Sequence, residues 1–195
     1  MRITGGDLRG RILQVPTTEL VRPTQDRVRE ALFNMLGRTV PGSRWLDLFS
    51  GTGAVAAEAL SRGAASAVCV ELEARHITAM KRNFSALGLD AKTEIVRTDV
   101  YKYLTSPAAS RAFDVVFADP PYELGAEKGY AEVQRILAEN RVLRPEGLFI
   151  TEMKSRQQAE DTALWTVLRD RTYGQTRLVI YQLNPTQGGP DNGRL

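Results

Sequence analysis

From Arg44 onward the chain alternates short apolar runs with amphipathic stretches, and no other feature limits its fold as much. Trp45-Leu46-Asp47-Leu48-Phe49 reads as a buried strand, and Gly53 to Arg62 as a small-residue helix stopped by Gly63. Ala67 to Glu71 predicts a second strand, Ala74 to Leu87 a helix ended by Gly88, and Thr93 to Arg97 a third strand, followed by a short helix near Tyr101 to Leu104. Phe113 to Ala118 is a fourth strand, Gly129 to Ala138 a helix and Gly147 to Glu152 a fifth strand. Trp165 to Asp170 and Arg177 to Gln182 flank Gly174 and read as a closing hairpin. Short apolar runs bounded by turn residues are strands covered on both faces. Their alternation with helices predicts an α/β fold around a mostly parallel sheet. Such sheets bind ligands beyond the carboxyl ends of their strands. Those ends are Asp47–Gly53, Glu71, Thr98-Asp99 and Asp119–Tyr122.

The segment before this pattern differs in charge. Residues 1–40 hold seven arginines against Asp7, Glu19, Asp26 and Glu30, which accounts for the whole net charge of +3. Arg2-Ile3-Thr4 and Arg11 to Val15 flank Gly5, Gly6 and Gly10 and predict a hairpin. Pro16 and Pro23 bracket a linker, and a helix is expected from Thr24 as N-cap to Gly37, with Val28, Ala31, Leu32 and Met35 as its apolar stripe. An arginine-rich arm on a neutral body points toward a polyanion, because the guanidinium fork matches phosphate. Salt bridges on a solvated face are the other reading of those charges. The expected organisation is therefore an arm over 1–40, a body over 41–183, and a loose Gly- and Pro-rich tail over 184–195. No apolar run approaches the roughly 20 residues of a membrane span, and Met1 to Gly6 has no signal-peptide character, so a cytoplasmic protein is expected. Cys69 is the single cysteine; it falls in an apolar strand, reads as a core thiol and leaves no basis for a disulfide or a cysteine metal site. His76 reads as incidental to chemistry, and no cluster suggests a metal.

All four strand ends carry recognisable chemistry. Asp47 to Gly53 is a glycine turn between strand and helix, and Gly51 and Gly53 allow a ligand close to the main chain. Glu71, twenty positions after Gly51, stands where a carboxylate can take two ribose hydroxyls, and Asp99 where one can take an adenine amino proton. This segment also fits a dinucleotide fingerprint with Ala56 in the last position. Asp47 argues against it, since its charge repels a pyrophosphate but attracts an ammonium. Asp119-Pro120-Pro121-Tyr122 argues against it too. Its prolines fix the backbone and donate no hydrogen bond. The Asp119 side chain and the Pro120 carbonyl are then two acceptors for one NH2 group, and Tyr122 is a face on which a base can stack. That set suits methyl transfer from a sulfonium to an exocyclic amine. It does not choose among adenine N6, cytosine N4 and guanine N2.

Asp119 to Tyr122 resembles the motif of amino-group methyltransferases acting on nucleic-acid bases. Arg2-Ile3 through Gly6, Arg9-Gly10-Arg11, Arg22-Pro23-Thr24 and Arg27 to Asn34, with Asp47 to Gly53 and Glu58 to Ala64, are similar to the bacterial 16S ribosomal RNA guanine-N2 methyltransferase family, the small-subunit methyltransferase D family. The resemblance spans about residues 1–183. It implies a class I S-adenosylmethionine-dependent methyltransferase fold, Rossmann-like, with seven strands and the last antiparallel. It implies S-adenosyl-L-methionine as cofactor and methylation of a specific guanine in 16S rRNA of the small subunit or its assembly intermediate; no metal, no membrane and a monomer are expected besides. Carried across, Thr24, Asp47, Phe49, Ser50, Gly51, Gly53, Glu71 and Asp99 would hold the cofactor, and Asp119, Pro120, Pro121 and Tyr122 the base. Arg2, Arg9, Arg11, Arg22 and Arg27 would meet RNA. Ser50 and Thr52 stand where the family often has Ala and Ser. A DNA adenine-N6 methyltransferase, a nicotinamide oxidoreductase and a catalytically silent RNA-binding factor are the competing readings.

Overall fold

The structure, a computed structural model, describes residues 1–16, 23–110, 112–120 and 125–184. Seven strands form one sheet: β1 (Arg44–Leu48), β2 (Ser66–Glu71), β3 (Thr93–Arg97), β4 (Phe113–Ala118), β5 (Leu143–Lys154), β6 (Trp165–Tyr173) and β7 (Thr176–Leu183), in the order β3-β2-β1-β4-β5-β7-β6. Pairing is parallel from β3 through β5, and β7 runs antiparallel to both β5 and β6. The closing hairpin is therefore not appended in sequence order. Its second strand inserts beside β5 and pushes β6 to the edge.

Period-two alternation sorts the side chains into two cores. Trp45, Ala67, Cys69, Val115, Phe117, Ile150 and Leu178 face α1 (Pro23–Leu36), α2 (Ala54–Ser61) and α3 (Ala74–Leu87). Leu46, Leu48, Val68, Val70, Val116, Ala118 and Phe149 face α4 (Val100–Leu104) and α5 (Gly125–Glu139). Cys69 is a buried free thiol of the first core.

Several boundaries differ from the sequence reading. Helix α1 begins at Pro23, so Thr24 lies in its first turn and not at the cap; proline at a helix start loses no hydrogen bond, since that N–H has no partner there in any case. Helix α5 begins at Gly125 rather than Gly129, and β5 runs from Leu143, which pairs with Phe113 of β4, to Lys154, where β7 continues to pair with it beyond the end of β4. The N-terminal hairpin contains a single bridge, Arg2 to Ile12, with the Ile3 N–H donating to the Arg11 carbonyl at 2.9 Å. Ile3 and Leu13 are buried in the same core as α1 and β1. Asn184, assigned to the tail, is held by its N–H on the Leu164 carbonyl at 2.8 Å. The remainder of the tail lies outside the described residues.

Candidate active site

Strand register explains which carboxylates meet. Asp47 pairs with Phe117 and with Cys69 in register, so its side chain shares their face of the sheet. Asp119 lies two positions beyond Phe117 and Glu152 two positions beyond Ile150, so both fall on that same face. All three line one cavity of about 240 Å³, roofed by Val28, Arg29 and Leu32 of α1 and floored by Phe49 to Thr52. Whole-ligand pockets measure roughly 300–1,000 Å³. This cavity is smaller than that range.

The turn between β1 and α2 is built for close approach. Phe49, read in the sequence as the last strand residue, instead leaves the strand with φ 59°. A bulky residue in the left-handed region is strained, and such strain gathers at functional sites. Gly51 (φ 54°) donates its N–H to Glu71 Oε2 at 2.8 Å, and the space where its Cβ would stand is open. Gly53 (φ 77°) is packed differently: a Cβ there would come 2.7 Å from both Met80 and Phe84. The position of the first glycine is thus open, and that of the second is closed by helix packing. The Ser50 hydroxyl is shared between the Asp47 carbonyl (2.6 Å) and the Val70 carbonyl (3.2 Å), so this residue lines the cavity while its proton braces the turn.

Asp47 is 1 % exposed. Burial pushes its carboxyl from 3.8 up to about 8; the Ala56 N–H, at 3.2 Å from Oδ2, pulls it down, and Glu71 adds to the rise. Asp119 reaches the water of the cleft, yet its carboxyl stands among packed protein atoms. That packing, then the charge of Glu152, then that of Asp47, push its pKa well above the usual carboxylate range. Cleft water weakens the first effect, so repulsion between the facing carboxylates is the part that persists. Burial likewise raises Glu152, and the Thr176 hydroxyl, 3.4 Å from Oε1, pulls it back.

Glu71 accepts three backbone N–H groups: Gly51 on Oε2, and Leu72 (2.7 Å) and Glu73 (2.8 Å) on Oε1. A carboxylate has about four lone-pair positions, so Oε2 has one further acceptor direction. His76, set aside in the sequence reading, has Nδ1 3.5 Å from that oxygen. Asp99 caps α4, accepting the Lys102 N–H at 3.1 Å, and does not line the cavity. Pro120 is buried beside Asp119. Pro121, Tyr122 and Arg22 lie outside the described residues, and of Thr24 only the backbone is described.

Arg2, Arg9, Arg11 and Arg27 are exposed, whereas Arg29 is 5 % exposed and committed inward. It donates to Glu58 Oε2 at 3.2 Å, to Asp26 Oδ1 at 3.0 Å and to the Arg2 carbonyl. Glu58, fully buried, also accepts from the Thr4 N–H and hydroxyl, the Gly5 N–H and Arg62. Arg11 donates to the Ala86 carbonyl at 2.7 Å at the end of α3.

The sequence reading names no acid at the end of the fifth strand and so omits Glu152. The signal was available: a glutamate closing the apolar run Leu148-Phe149-Ile150-Thr151 is the same pattern as Asp47, Glu71 and Asp119. The roof of Val28, Arg29 and Leu32 had no such signal. Among the described residues, no group of three His, Cys, Asp or Glu could hold a metal ion, and no helix is long and apolar enough to cross a membrane.

Comparison with known proteins agrees with this geometry. The family model described as "Conserved hypothetical protein 95" matches residues 1–182. The chain is 35% identical over 184 residues to "Ribosomal RNA small subunit methyltransferase D" of Haemophilus influenzae, covering 93% of each chain. It is 33% identical over 184 residues to "Putative rRNA methyltransferase YlbH" of Bacillus subtilis, covering 93% of this chain and 98% of that one. The solved "Putative methyltransferase yhhF from Escherichia coli" superposes with a TM-score of 0.81 at 33% identity, over 94% of this chain and 97% of that one. With the sheet order and the strand-end site already described, these matches place the chain in the small-subunit ribosomal RNA methyltransferase D family, on the class I S-adenosylmethionine-dependent methyltransferase fold.

Proposed function

We propose that this protein methylates the exocyclic N2 amino group of a guanine in 16S rRNA, at a site of the guanine 966 kind, with S-adenosyl-L-methionine as methyl donor. The carrying observation is the cavity in which Asp47, the glycine turn and Asp119 meet on one sheet face. The residues fit the cofactor. Open space above Gly51 admits a ligand to the main chain, and Asp47 is a buried carboxylate that a cation would restore to its charged form. The same group of acids disfavours the pyrophosphate of a nicotinamide dinucleotide. When bound, S-adenosylmethionine supplies an electrophilic methyl on a sulfonium.

Asp47 would hold the ammonium of the methionine end, and Glu71 a ribose hydroxyl. The Asp119 carboxylate and the Pro120 carbonyl would each accept one proton of the target NH2, which frees the nitrogen lone pair from the ring and aims it at the methyl carbon. Positioning of this kind supplies much of the rate. As the new N–C bond forms and the S–C bond breaks, one N2 proton passes to Asp119 and then to solvent. The arm with Arg2, Arg9, Arg11 and Arg27 would grip RNA phosphates. The protein acts as a monomer in the cytoplasm on the small subunit or its assembly intermediate.

The test uses labelled S-adenosylmethionine with small subunits that lack the modification, followed by nucleoside mass spectrometry. Label is expected in N2-methylguanosine, and Asp119→Ala should lower the rate at least 100-fold while cofactor affinity stays within a few-fold. Label in N6-methyladenine of duplex DNA, with none in RNA, would overturn the reading.

A further inference from the structure

The acceptors at Asp119 and Pro120 read an NH2 group and nothing else of the base. A further acceptor stands beside them. Glu152 lies across the β4–β5 ladder from Asp119: Phe117 pairs with Ile150 and Ala118 with Thr151, so the next step places Asp119 opposite Glu152. Both side chains enter the same cavity. Glu152 is fixed from behind, with its carbonyl accepting the Tyr130 hydroxyl at 2.5 Å and Oε1 accepting the Thr176 hydroxyl at 3.4 Å.

The amino-bearing bases differ at the ring nitrogen next to the amino group. Guanine carries a donor there, N1–H, whereas adenine N1 and cytosine N3 are acceptors. A carboxylate beside the NH2 on its Watson–Crick side is therefore satisfied by guanine N1–H and faces a lone pair in the other two. A buried polar group left unpaired in this way costs enough to reject a ligand by several orders of magnitude. We propose that Glu152 accepts the N1–H of the target base and is the residue that makes this site select guanine. The proposal rests on the methyltransferase reading above and adds to it the base-discriminating group.

2-Aminopurine keeps the N2 amino group but has an acceptor at N1; because it also lacks O6, the readout is the change in preference when Glu152 is substituted. Small subunits would be assembled with either guanine or 2-aminopurine at the target position of 16S rRNA, and kcat/KM compared for the two. The wild type should prefer guanine by roughly 100-fold or more. Glu152→Gln, whose amide can either accept from or donate to N1, should shrink that preference at least 10-fold, while Glu152→Asp should keep most of it. Binding of S-adenosylmethionine to each variant checks that the fold is intact. A wild type that methylates both bases equally, or a Glu152→Gln variant that slows both by the same factor, would overturn the role of Glu152. A wild type that methylates neither RNA would overturn the RNA reading itself, and this proposal with it; the unmodified-subunit arm separates that failure from a wrong role for Glu152.

Discussion

Asp47 carries a conflict between stability and function. Its carboxyl is raised from 3.8 to about 8, so the folded protein holds this proton more tightly than the unfolded chain. The stability linked to it is full below about pH 4 and is lost as pH rises through about 8. Asp47→Asn removes the titration. Its stability advantage in urea unfolding of the ligand-free protein should grow from near zero at pH 4 to a few kcal/mol at pH 8. The same variant should bind S-adenosylmethionine at least 100-fold more weakly by calorimetry, since nothing then answers the ammonium. A variant that bound the cofactor normally would mean that Asp47 is a structural acid. Phe49 is a second case at this scale: its φ of 59° is strain that no residue of the apolar run announces.

At the scale of elements, the arm and α2 are joined through one buried acid. Burial opposes ionisation of Glu58, but the Thr4 N–H and hydroxyl, Arg62 and Arg29 outweigh it and hold its pKa below the usual 4.5. Removing one partner of a buried pair leaves the other charge uncompensated, at a cost of about 3–5 kcal/mol. Glu58→Gln should lose that much in urea unfolding at pH 7, with Arg29 left buried. The sign of the shift fixes the pH window. The lowered pKa stabilises the fold above about 4.5, and that contribution is lost as pH falls through the depressed value, so variant and wild type should converge in acid. Arg29 and its helix also roof the cavity, so a loosened arm should weaken cofactor binding as well.

At the scale of the molecule, the charge imbalance of residues 1–40 becomes a surface. Arg2, Arg9, Arg11 and Arg27 are exposed on a segment that shares the main core, with Ile12 79 % exposed among them. Each phosphate contact contributes roughly −0.7 to −0.9 to the slope of log affinity against log salt. Arg9→Ala with Arg11→Ala should therefore flatten that slope for RNA by about 1–2 in filter-binding titrations. Arg9 should have the greater effect, because Arg11 spends one donor on the Ala86 carbonyl. An unchanged slope would remove the arm from the RNA interface.

The sequence by itself determined the strands β1 to β4, because an apolar run between turn residues has few other ways to bury itself. It also determined the acids at Asp47, Glu71, Asp99 and Asp119, because a parallel sheet exposes its chemistry at the strand ends. Local pattern cannot report which strand becomes a neighbour. That β7 inserts between β5 and β6 follows from long-range pairing, and so does the β4–β5 register that sets Glu152 opposite Asp119. The split between Asp119, open to the cleft, and Asp99, which caps a helix and lies off the cavity, is likewise tertiary. So is the sorting of the arginines: seven look alike in the chain, and only a buried partner at Glu58, twenty-nine positions away, turns Arg29 inward.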